Sequence, residues 1–365
     1  MNPTTLPADR PIGTIEPVFA FHGAMPTGVS VSPDGRIFVN FPRWGDDVAF
    51  TVGEIRGDAL VAFPNAEINR ADPERPGETL ISVQSIVADG ANRLWILDTA
   101  APAFRAPVPG GAKLVAVDLA TNTVVKTVIL PPEAVLETTY TNDVRFDFRH
   151  GAEGTAYITD SSVRGPGAIL VVDLATGEAW RRLSGHASTS PDPNFIPVVE
   201  GERMAIREAG EKPAPFNVAA DGITLSADGK LLYFCALSTR HLFSVPSECL
   251  RDRAIPDAEV AKMVRDLGEK GASDGLEVDD QGRVYAGDYE RNSIRRRCAD
   301  GEWETIAHDP RILWPDTLSV ARDGHLYFTA NQLQRQAQFH AGQDKREKPY
   351  SLFRIRIDAG PVYLK

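Results

Sequence analysis

A polar-headed hairpin recurs along this chain, and that repeat constrains the fold more than any other feature of the sequence. Its clearest copy covers residues 273–294: a polar opening, an alternating strand, a tight turn at Gly282 and a second strand ending in a polar loop. Thr27 stands eight residues before Gly35, Asp221 eight before Gly229, Asp274 eight before Gly282 and Asp316 eight before Gly324. Gln84 keeps the spacing with Asn92 in the glycine's place, and Asn142 reaches Gly154 after a four-residue insertion. Repeats of roughly 40 to 60 residues built from short strands bury their faces only against neighbouring copies, which is the logic of a β-propeller blade. Six copies predict an all-β, six-bladed β-propeller. Residues 14–365 then form one domain, and residues 1–13, with three prolines and little periodicity, form a flexible N-terminal arm. Strand-like patterns over 14–21 and 351–357 place the N- and C-terminal strands side by side, pairing to close the ring.

Charge and composition exclude several partners. The net charge of -11 argues against nucleic acid or an anionic membrane, both of which reward basic patches. The one basic cluster, Arg295, Arg296 and Arg297, reads as a solvated strand edge. No apolar run approaches the roughly 18 residues of a membrane span, and the first 25 residues lack a signal-peptide pattern. The chain as given reads as cytoplasmic, or as secreted or periplasmic if a signal peptide was removed. Three cysteines without a C-x-x-C give neither a disulfide framework nor a zinc site. Gly271, Ser273 and Gly275 match a nucleophile elbow in spacing only, because a loop precedes and a strand follows. Phosphate-loop and dinucleotide fingerprints are absent, so no nucleotide cofactor is expected.

The connections divide into short turns inside each unit's first hairpin and longer segments elsewhere, over 41–51, 99–113, 184–217, 251–273 and 330–350. In an up-and-down blade the longer segments are expected on one face, the face where each first strand begins, and long loops are kept for binding. Val260, Met263, Val264 and Leu267 share one side of a helix expected over 257–268. The proline-rich segment 188–215 is expected to lie extended over the channel mouth as a lid.

The first strand of a blade lines the central channel, so the six leading residues converge on its axis. They are Thr27, Gln84, Asn142, Asp221, Asp274 and Asp316, all polar and three of them carboxylates. Acids gathered this closely need protons or a cation between them. Hard divalent cations take several oxygen ligands completed by water, which makes Asn142, Asp221, Asp274 and Asp316 candidate ligands, with Ca²⁺ the first choice and Mg²⁺ or Mn²⁺ alternatives. A hydrated structural ring is the competing reading. In either case the expected partner is a small-molecule ligand in the central channel.

Several motifs resemble the major royal jelly protein/Yellow family in a bacterial-type version. They are Pro42, Arg43 and Trp44; the runs 93–99, 156–161 and 221–226; Leu237, Ser238 and Thr239; Trp314, Pro315 and Asp316; and the run 329–333. More distantly the chain is similar to gluconolactonase-type six-bladed propellers. The latter resemblance implies a divalent metal held by a first-blade glutamate, middle-blade asparagines and an aspartate that also acts as base. Asn142 and Asp274 match that set, Asp221 stands at an asparagine position and Thr27 at the glutamate's, with Asp221 and Asp316 supplying the missing charge. The Yellow resemblance implies dopachrome conversion, or amine binding without catalysis, with acids holding an ammonium group and Trp44 and Tyr289 stacking on a ring.

Three functions are therefore expected in order. The first is a metal-dependent hydrolase of a lactone or similar cyclic ester, in which Asp274 takes the proton from a bound water and Arg43, Trp44, Gln84, Tyr289, Asn331 and Gln332 line the substrate pocket. The second is an isomerase or tautomerase of a catechol-derived substrate. The third is a non-enzymatic binder of a small amine or metabolite.

Overall fold

The computed structural model describes residues 9–208 and 210–365. Six four-stranded antiparallel sheets stand around one axis, and the innermost strand of each touches those on either side, so the ring is closed. Those inner strands are Gly28–Val31, Val83–Ala88, Thr141–Asp147, Ala220–Leu225, Leu276–Val278 and Pro315–Val320, numbered below as blades 1 to 6. Glu16–Phe21 pairs antiparallel with Tyr350–Arg356 and completes blade 6, so the two ends of the chain close the propeller as the pattern predicts.

The core is divided among the seams between blades, as expected for units that cannot bury their faces alone. Leu97, Leu114, Val144 and Ile158 fill the seam of blades 2 and 3; Tyr285, Ile294, Leu318 and Phe328 fill that of blades 5 and 6. The recurrent glycine after the leading residue has a specific cause at the hub. A Cβ on Gly222 would run into the carbonyl oxygen of Asp274, and one on Gly275 would lie 2.8 Å from that of Asp316. Neighbouring inner strands approach too closely there for any side chain.

Three expectations change. The helix expected over 257–268 stops early: Asp257–Lys262 is helical, but Arg265–Glu269 is the fourth strand of blade 4, paired with His241–Pro246. Completing the blade outweighs the apolar spacing, which fits one face of either element. Strand alternation also puts residues 247–264, between third and fourth strands, on the face opposite the other long connections, so of the segment expected over 251–273 only residues 270–273 reach the channel mouth. The lid over 188–215 carries two short hairpins, Val198–Val199 with Glu202–Arg203 and Ala205–Ile206 with Ala214–Pro215. It does cover the mouth, since Phe195, Val199, Met204 and Phe216 pack with Tyr289 and Trp314.

Of the arm expected over 1–13, residues 1–8 lie outside the described residues. Ile12 forms a backbone bridge with His308, and His308 Nε2 lies 2.7 Å from Asp9 Oδ1. Among the described residues no helix is long and apolar enough to cross a membrane.

Candidate active site at the channel mouth

All six leading residues stand at the starts of inner strands on the lid-covered face. Four of them coincide with breaks in strand register: Gln84, Asn142, Asp221 and Asp316 each fall where the ladder to the second strand slips. Bulges of this kind re-aim side chains that simple alternation would send into the blade seams. The slip at Asn142 has a second effect, bringing Asp143, which pattern reasoning passed over, to the hub as well.

The side chains fall into four hydrogen-bonded groups around the hub. Asn142 Nδ2 donates to Ser161 Oγ at 2.8 Å, and that hydroxyl lies 3.0 Å from Asp221 Oδ2. The other oxygen of Asp221 is buried and accepts no hydrogen bond. Trp314 Nε1 donates to Asp274 Oδ2 at 2.8 Å, and Asn331 Nδ2 to Asp316 Oδ2 at 2.6 Å. On the blade 1 side, Trp44 Nε1 donates to Tyr140 Oη, whose hydroxyl donates to Gln84 Oε1, both at 2.8 Å. Two aromatic walls flank these groups: Tyr289 stacked on Trp314 with centroids 4.0 Å apart, and Phe104 stacked between Tyr140 and Trp44.

Not every expected residue joins in. Thr27 is fully buried and accepts from Asn40 Nδ2 at 2.9 Å, so it braces blade 1. Arg43 directs its guanidinium at the carbonyls of Ile81 and Val48, tying the 41–51 loop to blade 2 and away from the hub. Gln332 is engaged with the backbone of Glu347 on both amide atoms. Tyr289 donates its hydroxyl to Leu237 O and offers only its ring, behind Trp314.

Burial and mutual repulsion set the protonation of the hub. Removal from water, then the neighbouring charges of Asp274 and Asp143, push Asp221 well above the usual carboxylate range. Burial also pushes Asp274 up to about 6, restrained by the neighbouring Asp221 and by the hydrogen bond from Trp314 Nε1. Asp316 is driven well upward by burial and then by Asp274 and Asp143. Carboxyls this close cannot all ionise unaided. Burial and repulsion thus favour the protonated form of Asp221 and leave Asp274 the more readily ionised of the two.

Among the described residues no three Asp, Glu, His or Cys side chains stand close enough together to hold a cation on their own. Asp221 Oδ1 is buried without a hydrogen-bond partner and is free to bind, and Asn142 and water would be needed to complete a shell. The donor set is all oxygen, which suits a hard cation.

The hub is thus a lidded, carboxyl-lined recess at the centre of a six-bladed propeller. The family model for the major royal jelly protein matches residues 81–358, and the chain belongs to that family. Protein yellow of Drosophila erecta and that of Drosophila melanogaster are each 26% identical over 264 residues, covering 68% of this chain and 46% of theirs. The chain thus spans about half the length of the curated relatives it matches. Among solved structures, a calcium-binding protein, regucalcin, from Agrobacterium tumefaciens superposes with a TM-score of 0.54 at 15% identity, covering 95% of this chain and 98% of that one. A putative gluconolactonase gives 0.56 at 11% identity, with 96% of each chain covered. These two likenesses show the six-bladed fold.

Proposed function

We propose that this chain is an enzyme that moves a proton on a small organic substrate at the channel mouth, with Asp274 as the general base and Asp221 holding the complementary proton. One observation carries the reading: two carboxyls are buried beside the Trp314 and Tyr289 wall, Asp274 held by Trp314 Nε1 and Asp221 with an unpartnered oxygen, and burial lifts both above the usual carboxylate range. Abstraction by Asp274 and return from Asp221 at a second position is an isomerisation or tautomerisation, and needs no net proton from solvent. Trp314 orients the Asp274 carboxylate through its Nε1. Asp316, kept neutral by the same burial, is placed to donate a hydrogen bond to charge that develops on the substrate.

A second reading, cation-assisted hydrolysis of a lactone, is favoured by the free oxygen of Asp221. Asn142, Asp221, Asp274 and Asp316 are the residues that would hold a divalent cation, Ca²⁺ first, and when bound it would supply polarisation of the ester carbonyl. Asp274 is then the base for water. Both readings are tested by assaying dopachrome and a panel of lactones with wild-type protein, Asp274→Asn, and protein treated with EDTA. The proposal expects dopachrome turnover that EDTA leaves intact and that Asp274→Asn lowers by about 10²-fold or more. Lactone turnover abolished by EDTA moves the conclusion to the second reading, and full activity in Asp274→Asn overturns both.

A further inference from the structure

A cavity of about 460 Å³ lies in the seam between the lid and the long blade 6 loop, away from the carboxyl hub. Its floor is apolar, made by the buried side chains of Val199, Met204 and Phe339. Its walls bring Arg203 and Arg207 from the lid to face Arg335 and Lys345 from blade 6, with Glu200, Glu202 and Glu347 among them. Glu200 is already matched: Arg335 Nε meets its Oε2 at 2.9 Å and Gln334 donates to the same oxygen at 3.0 Å. Glu202 and Glu347 are exposed, where water screens them.

Arg207 is different, because it is only partly exposed and sits at the apolar floor. It donates to Phe339 O at 3.2 Å and Arg203 O at 2.7 Å, and among the described residues no ion pair includes Arg203, Arg207 or Lys345. A half-buried guanidinium that meets only carbonyls retains most of its attraction for an anion. On a chain of net charge -11 this is a local reversal of sign. The hub lies beyond the Phe339, Phe216 and Trp314 layer, whose rings meet edge to face at 5.5 and 6.2 Å. Its carboxyls repel the anions that the seam attracts, so the two places select different molecules.

We propose that the seam is a second ligand site, for a small organic carboxylate with an apolar body, the carboxylate on Arg207 with Arg203 and Lys345 around it and the body on Met204 and Phe339. Such a ligand touches the lid and blade 6 at once and holds the lid down over the channel mouth. The inference goes beyond the proton-transfer reading and does not depend on it.

Calorimetric titration of the full chain with benzoate, benzyl alcohol and benzylamine at low ionic strength tests it. Benzoate is expected to bind at least about tenfold more tightly than the other two, and Arg207→Gln to weaken it by about tenfold. Lys345→Glu, an exposed change that leaves the fold intact, is expected to weaken it several-fold, while Asp274→Asn leaves it unchanged. No benzoate binding by the wild-type protein overturns the site. So does binding that Arg207→Gln and Lys345→Glu leave alone, or that Asp274→Asn strengthens, since that ligand sits at the hub.

Discussion

Asp274 is where stability and chemistry pull apart. Its carboxyl is lifted from an ordinary 3.8 to about 6 by burial, so between those two values the folded chain holds a proton that the unfolded chain has released. The stabilising contribution of the neutral form is complete below pH 4 and is lost as pH rises through about 6. Asp274→Asn keeps an acceptor for Trp314 Nε1 and removes the buried charge. The variant is expected to be more stable than wild type at pH 8 by about 2 kcal/mol and no more stable at pH 4, measured by urea unfolding at the two pH values. Six leading residues could be read from spacing because the turn glycine fixes their place in each unit. Ser161 and Tyr140 could not, since each reaches the hub from a second strand's end or an inter-blade loop, and nothing local marks that. Asp143 had a signal: two adjacent polar residues, Asn142 and Asp143, interrupt the alternation of an inner strand, and a bulge is the way both can face the axis.

At the scale of elements, the polar residue at or just past the end of five of the six second strands does work that the hairpin pattern did not reveal. Asn40, Asp98, Asp160, Asp288 and Asn331 all close runs of apolar residues. Asp98 accepts from the backbone N–H of Ile81 and Ser82, fixing the approach to blade 2's inner strand, and pairs with the fully buried Lys113 at 2.7 Å. Asp98→Ala strands that ammonium and is expected to cost about 3–5 kcal/mol in denaturant unfolding, and Asp98→Ala with Lys113→Met to recover part of it. The lid behaves oppositely. Its clasp, Glu200 on Arg335, is partly solvated, so Glu200→Gln is expected to change global stability by less than about 1 kcal/mol. Amide exchange over the hairpin at 198–203 is expected to accelerate in the same variant, because local opening loses its clasp while the ring does not. The blade 4 segment shows what periodicity leaves open. Val264 and Leu267 satisfy a helix or an outer strand, and only the need of a third strand for a partner decides between them.

For the whole molecule, the ring was legible because its seams must be filled by repetition, and closure by the two chain ends follows from the same demand. What repetition cannot specify is the chemistry of the hub, which is set where the copies differ: three aspartates, an asparagine, a glutamine and a threonine at equivalent positions. Those differences give the hub a graded set of protonation states. A cage of identical ligands would not. The most direct measurement is a pH titration followed by ¹³C NMR of protein labelled at aspartate carboxyl carbons, after EDTA treatment. One signal, absent from Asp274→Asn, is predicted to titrate near pH 6, and the signal missing from Asp221→Asn to titrate higher still and to move down when Asp274 is replaced. If every aspartate titrates below about 4.5, or if Asp221 ignores the loss of Asp274, the two carboxyls do not meet at the hub and the account fails.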